Sequence, residues 1–334
     1  MNAPTWLSRL RSHLRLRWRF GVRNLPFLLG RPHLHVVVQQ PDRWHLAFFD
    51  WLSAHHPTLY RHIRFGIGTG PGALRWPGGK GLLPWAPTPM TEPGPHRLDE
   101  LLALEQHYLD HQLPVFNPIS RLNHSRQATA IATAQELGIG CSHTLPCGQS
   151  SDFDALSARL GCPLIVRDQA QLGRPPLLVG NRRQWASLPW NGMVKPMACR
   201  QADASQTPEH NDFLGVLTGE HYYETRPFVA QHGAGRSGDI RPLRQLQNTL
   251  GLSLVAFEFS RDNRGNPVIW RVTPLPSLLE QSPEWLDPTT LEALYDALLH
   301  GLLGELQWQY DGSSIAFSAG RQRPATRTLD QKIQ

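Results

Sequence analysis

The sequence predicts a mixed α/β fold, α+β in its larger part, and three observations carry that prediction. Residues 251–276, GLSLVAFEFSRDNRGNPVIWRVTPLP, alternate as a β-hairpin: Val255, Phe257 and Phe259 against Leu254, Ala256 and Glu258, then Val268, Trp270 and Val272 against Ile269, Arg271 and Thr273. Asn263-Arg264-Gly265 supplies the turn. A strand–helix–strand order opens the chain between Leu34 and Ile67, and helical runs recur between the later strands. With 334 residues, 40% of them hydrophobic, and eleven tryptophans, the chain is long and apolar enough for about two domains.

Taken in order, residues 1–30 form a basic amphipathic segment. Leu7, Leu10, Leu14 and Trp18 recur at helical spacing, and Arg9, Arg11, Arg15, Arg17, Arg19, Arg23 and Arg31 all precede the first acid, Asp42. Those seven arginines exceed the formal net charge of +6, so the remainder is nearly neutral. Such a helix docks on the protein's own core with its arginines in water, or binds an anionic surface or partner protein through residues 1–25. The arginines break every apolar run that could serve as an export signal, and no stretch of about 18 apolar residues could span a membrane.

Residues 31–113 read as an α/β domain: a strand at Leu34–Gln39, a helix at Trp44–His55, a strand at Ile63–Ile67 and a helix at Leu98–Gln112. Between them, residues 70–95 hold seven prolines and six glycines and read as an irregular strap. Gly66-Ile67-Gly68-Thr69-Gly70 lacks the register of a dinucleotide loop, and Gly78-Gly79-Lys80-Gly81 lacks that of a P-loop. Residues 114–312 form the second domain. Helices are expected at Gln127–Leu137, Asp152–Leu160 and Thr289–Gln307, the last opened by Asp287-Pro288 as N-cap and first turn. Residues 313–334 turn polar and read as a disordered tail. Four cysteines without paired spacing indicate reduced thiols and a cytoplasmic protein. Among sixteen histidines, His107 and His111 are the best-spaced pair for a metal, beside Glu105 and Asp110, without a zincin motif.

The hairpin resembles the metal-binding end of the ATP-grasp superfamily, in which a Gly-Leu pair enters a strand whose acid stands seven residues after the glycine. Gly251, Leu252 and Glu258 fit that spacing. The family's return strand ends in Glu-x-Asn before a proline-containing turn; here Arg271-Val272-Thr273 precede Pro274 and Pro276. Upstream, Asn117-Pro118 with Arg126 at the head of the following helix, the strand Leu160–Arg167, the loop 169–176, the segment 195–200 and the strand Tyr222–Ala230 follow the family's order. The resemblance implies an N-terminal α/β lobe followed by two α+β subdomains with an antiparallel sheet.

It also implies a site. Arg126, Arg167 and Arg226 stand where the family contacts ATP phosphates, Arg226 facing the transferred group. Asp239-Ile240-Arg241 is a weaker match to that last element, being ten residues short of Gly251. Glu258 is the residual magnesium ligand, its partner positions taken by Arg271 and Thr273. Magnesium needs hard oxygen donors, and a guanidinium has no lone pair to give. The loop 169–176 has one glycine and two prolines, a poor phosphate lid. In active relatives ATP phosphorylates a carboxylate and an amine or thiol displaces the acyl phosphate. Three functions follow as expectations: a carboxylate–amine ligase relative with lost or reduced activity whose cleft still takes a nucleotide, a small carboxylate, a peptide or a partner; an active ligase recruiting Glu280 or Glu284; or a scaffold acting through its basic N-terminus.

Overall fold

The computed structural model describes residues 27, 29–38, 47–67, 78–85, 95–122, 127–168, 177–193, 196–200, 212–225, 239–274 and 288–317. Its first layer is a three-stranded parallel sheet of β1 (His33–Val38), β2 (Ile63–Ile67) and β3 (Gly79–Trp85), with β1 in the middle. Helices α1 (Ala47–His55) and α2 (Pro57–Tyr60) connect β1 to β2. Leu34 and Val36 face a core with Phe48, Phe49, Leu52 and Trp85, as period-2 alternation requires. The other face turns His33, His35 and Val37 towards helix α3 (Pro95–Asp110). The strap expected over residues 70–95 is therefore not wholly irregular. Residues 79–85 are an edge strand, buried from Gly81 to Trp85, in which Pro84 falls where one edge needs no donor and Gly79 lies where a Cβ would strike the Tyr108 hydroxyl at 2.4 Å.

A bridge from Leu82 to Val115 and the short helix α4 (Ile119–Leu122) lead into the second part. There, helix α5 (Gln127–Glu136) precedes the two-residue strand β4 (Gly140–Cys141) and β5 (Thr144–Pro146). Helix α6 (Phe153–Leu160), capped by the Asp152 carboxylate, leads to β6 (Leu164–Asp168) and β7 (Leu177–Val179). Helix α7 (Arg182–Ala186) and β8 (Pro196–Arg200) follow. Strands β5-β8-β6-β7 make one antiparallel sheet, packed by Phe153, Leu156, Leu160 and Trp185.

The larger sheet has the order β10-β9-β11-β12-β4, from β9 (Asp212–Thr218), β10 (His221–Thr225), β11 (Leu254–Arg261) and β12 (Pro267–Pro274); only the β12–β4 pair is parallel. Phe213, Leu217, Val255, Phe257, Phe259 and Ile269 face α5 and helix α8 (Arg241–Leu250). On the opposite face Leu214, Val216, Leu254 and Ala256 pack with Leu294, Leu298 and Leu302 of helix α9 (Pro288–Leu306). Gly301 allows that approach, since a Cβ there would lie 2.3 Å from the Thr218 Cβ. The chain then forms a hairpin, β13 (Trp308–Tyr310) with β14 (Ile315–Phe317), whose second strand lies inside the region expected to be tail from residue 313. Trp308 and Phe317, ring centroids 5.0 Å apart, give this segment an apolar contact that its polar composition hid. The four cysteines are free thiols.

The basic segment 1–26, Arg126, the loop 169–176, Arg226, Glu280, Glu284 and residues 318–334 lie outside the described residues.

Candidate functional site

Strand β11 delivers Glu258 and strand β12 delivers Arg271, and the two are direct cross-strand partners, as the hairpin spacing implies. The Arg271 guanidinium nitrogen Nη1 stands 3.4 Å from Glu258 Oε1, with side chains only 11% and 10% exposed. The pairing depends on an irregularity. From the turn inwards Arg261 faces Pro267, Ser260 faces Val268 and Phe259 faces Ile269; then Glu258 faces Arg271, leaving Trp270 as the extra residue of a β-bulge. Without it the ladder would set Trp270 opposite Glu258. The simple alternation expected for this strand, Trp270 sharing a face with Val268 and Val272, is corrected accordingly: Ile269 and Val272 share the helix-covered face, while Val268, Arg271 and Thr273 share the other.

On its second flank Glu258 pairs with Leu214 of β9, which is fully buried. Two places along, on the same face, Thr273 lies across from Ala256 and is buried. The sheet neighbours of the carboxylate are thus a fixed cation and a hydrocarbon side chain. A divalent ion here would find Glu258 as the one carboxylate in that row and Thr273 as a neutral oxygen, and it would be repelled by Arg271. These residues do not fit magnesium held as the resemblance implies. Among the described residues no group of three or more histidine, cysteine, aspartate or glutamate side chains is placed to hold a metal. His107 and His111 come together, with ring centroids 4.3 Å apart, but the His111 Nδ1 is engaged with the His107 carbonyl at 2.7 Å.

The four-stranded sheet supplies the opposite side. Alternation along β6 puts Leu164 and Val166 into the core with Trp185, so Ile165 and Arg167 project the other way. Arg167 is 8% exposed, and its guanidinium carbon lies 3.9 Å from the centroid of the Trp270 ring. Arg167, which the resemblance places against the ATP phosphates, therefore meets the bulged residue of the larger sheet. Arg167 of the smaller sheet thus touches Trp270 of the larger one, and Trp270 immediately precedes Arg271 of the Glu258 pair. Trp270 carried no signal of this role beyond its place beside Arg271.

The reverse face of the larger sheet carries a second buried ion pair that the sequence did not reveal. Arg261 Nη2 donates to both carboxylate oxygens of Glu224, at 2.8 and 3.0 Å, and the Tyr222 hydroxyl donates to the same carboxylate. The guanidinium also lies over the Phe213 and Phe259 rings, 5.0 and 5.2 Å from their centroids. This cluster ties the end of β10, one residue before Arg226, to β11. Asp239 and Arg241, the weaker match to an Asp-x-Arg element, are spent on each other at the exposed start of α8, with Arg241 Nε donating at 2.8 Å and Nη2 at 2.7 Å.

Asn117, the asparagine of the Asn-Pro pair, has a defined structural use. Its side-chain nitrogen donates to the Leu254 carbonyl at 2.7 Å, and its oxygen accepts from the Leu254 N–H at 2.8 Å, so it completes the start of β11 like a strand partner. The Glu105 carboxylate meanwhile accepts from the Ile119 N–H and the Ser120 hydroxyl, each at 2.5 Å, and joins α3 to the same junction.

No protein-family model matches the chain, and no curated protein matches it by sequence. Solved structures do match. The ATP-grasp ligase PsnB, complexed with precursor peptide PsnA2 and AMPPNP, is 11% identical, covering 80% of this chain and 97% of its own, with a TM-score of 0.50. A RimK domain ATP-grasp protein from Sphaerobacter thermophilus is 14% identical over 82% of this chain and 99% of its own, with a TM-score of 0.46. D-alanine–D-alanine ligase from Bacillus anthracis, complexed with ATP, is 12% identical over 83% and 97%, with a TM-score of 0.49. At these identities the likeness is one of fold, and the overlay with PsnB carries it.

Proposed function

We propose that this chain, whose fold is that of the ATP-grasp superfamily, is a relative of the carboxylate–amine ligases in which magnesium-dependent phosphoryl transfer is lost or reduced and the cleft between the two sheets is kept for binding. The observation that supports this reading is the Arg271 guanidinium, 3.4 Å from Glu258 where the resemblance expects a second oxygen ligand. Phosphoryl transfer leaves little covalent work to a protein; it needs cations that bridge the phosphates and spread the transferring charge. Magnesium would supply that when bound, as an ion open to several oxygens at once. A guanidinium already beside a carboxylate is a fixed single charge that offers N–H donors only, so it can orient an anion but cannot coordinate one. In this reading Arg271 holds Glu258 neutralised, and Arg167, with Arg126 and Arg226 as further candidates, attracts the ligand's oxyanions.

The ligand classes we infer are a nucleotide and a peptide or small carboxylate, in line with PsnB, which is complexed with both AMPPNP and a precursor peptide. Four free thiols agree with a reducing compartment, and we place the protein in the cytoplasm on that ground. No helix among the described residues is long and apolar enough to cross a membrane.

Steady-state ATP hydrolysis, with and without magnesium, tests the reading on the wild type and on Glu258→Gln. The expected outcome is no magnesium-dependent rate above background and no difference between the two proteins. A robust magnesium-dependent rate abolished by Glu258→Gln would contradict this reading in favour of the alternative, an active ligase recruiting Glu280 or Glu284.

A further inference from the structure

The Arg167–Trp270 contact joins two sheets that share no strand, and nothing in the reading above requires it. Strand β6 turns Arg167 away from its own core, and the bulge in β12 sets Trp270 out of register towards it. The guanidinium carbon then lies 3.9 Å from the indole centroid, and Arg167 is 8% exposed. Indole is the strongest aromatic partner for a cation, and withdrawal from water strengthens the attraction. A planar cation at this height covers the indole face it lies on, leaving no space for a second planar group on that face.

The geometry points to a clasp: Arg167 on Trp270 holds the two sheets together across the cleft, so nucleotide entry between them requires the stack to open. This rests on the reading that the cleft takes a nucleotide. It adds a cost to binding that the wild type bears and a clasp-less variant does not, because a ligand's apparent affinity falls with the fraction of open protein. It also gives the bulge a purpose. A regular β12 would place Trp270 opposite Glu258 and leave Arg167 without this partner across the gap.

Titration with a fluorescent N-methylanthraniloyl-ATP, without metal, tests the clasp on the wild type, Trp270→Phe and Trp270→Ala. Trp270→Ala is expected to bind about tenfold tighter than the wild type, with Trp270→Phe between them, since a phenyl ring attracts a cation less. Because Trp270→Ala could also loosen the sheet, the wild type provides a second readout. The δ protons of Arg167 should show ring-current-shifted NMR signals in the free protein that move back towards ordinary positions at saturating nucleotide. Equal or weaker binding by Trp270→Ala, or shifted signals that survive saturation, overturns the clasp. Absence of binding by all three proteins overturns the clasp together with the nucleotide cleft. Magnesium-dependent hydrolysis sensitive to Glu258→Gln would overturn only the loss of activity, leaving the clasp to the affinity comparison.

Discussion

Asn117 ties the entry of the larger part to the strand that carries Glu258. Its backbone sits at φ 47°, a left-handed conformation that asparagine tolerates better than most residues, and both ends of its amide are used on Leu254. Asn117→Ala would leave a buried N–H and a buried C=O without partners, at about 1–3 kcal/mol each. Urea unfolding should therefore show a loss of about 2–6 kcal/mol, and Asn117→Asp should also lose stability, because its second carboxylate oxygen would face the buried Leu254 carbonyl with no proton to donate. An unchanged midpoint for Asn117→Ala would refute this role. The residue was visible in the sequence as half of an Asn-Pro pair, but its partner, 137 positions away, was not. At Glu258 and Arg271 the opposite holds, because hairpin partners are local and the turn fixes them. What the turn did not disclose was the bulge. The register that pairs these two residues differs by one from a regular ladder, and alternation alone cannot say which residue is extruded.

Among elements, β1 carries the most unusual side chains, because a central parallel strand holds two histidines on one face. His33 and His35 are both buried, and around them stand Arg64 of β2, His62, Arg31 and Tyr108 of α3, with no carboxylate among the groups that shift them. Burial holds His33 down at about 4 and His35 well below its ordinary value, the Arg64 charge adding to both; burial also pushes Tyr108 up to about 12. The sign follows. A histidine with a lowered folded pKa is neutral in the fold, so as the pH falls below about 6.5 the unfolded chain takes the proton first and stability declines. For His33 the decline runs from about pH 6.5 to about 4 and amounts to about 3 kcal/mol. Urea unfolding followed between pH 7 and pH 4 should show that loss, and a flat profile over this range would contradict it. Sequence periodicity located β1, β2 and most helices, since an apolar face leaves a pattern whatever it packs on. It missed β3, whose glycines and Pro84 read as punctuation, and β9, whose Phe213–Leu217 run is buried on both faces and so lacks alternation.

For the molecule as a whole, the parallel N-terminal layer and the larger sheet share two cores, while the four-stranded sheet packs on its own and meets the larger sheet where Arg167 lies on Trp270. The larger sheet brings an acid and a guanidinium to the gap, and the smaller one brings a second guanidinium that the bulged tryptophan receives. That order of segments was legible because each keeps its place along the chain. The meeting of the two sheets was not, since it depends on contacts between residues about 100 positions apart. The proposed loss of magnesium dependence turns on Arg271 standing in a cation's place. Calorimetric titration of ATP into the wild type and Arg271→Glu, each with and without magnesium, addresses this most directly. The wild type should bind ATP equally with and without the ion, while Arg271→Glu, which restores a second carboxylate, should bind about tenfold tighter when magnesium is present. Magnesium-enhanced binding by the wild type that Glu258→Gln removes would contradict it.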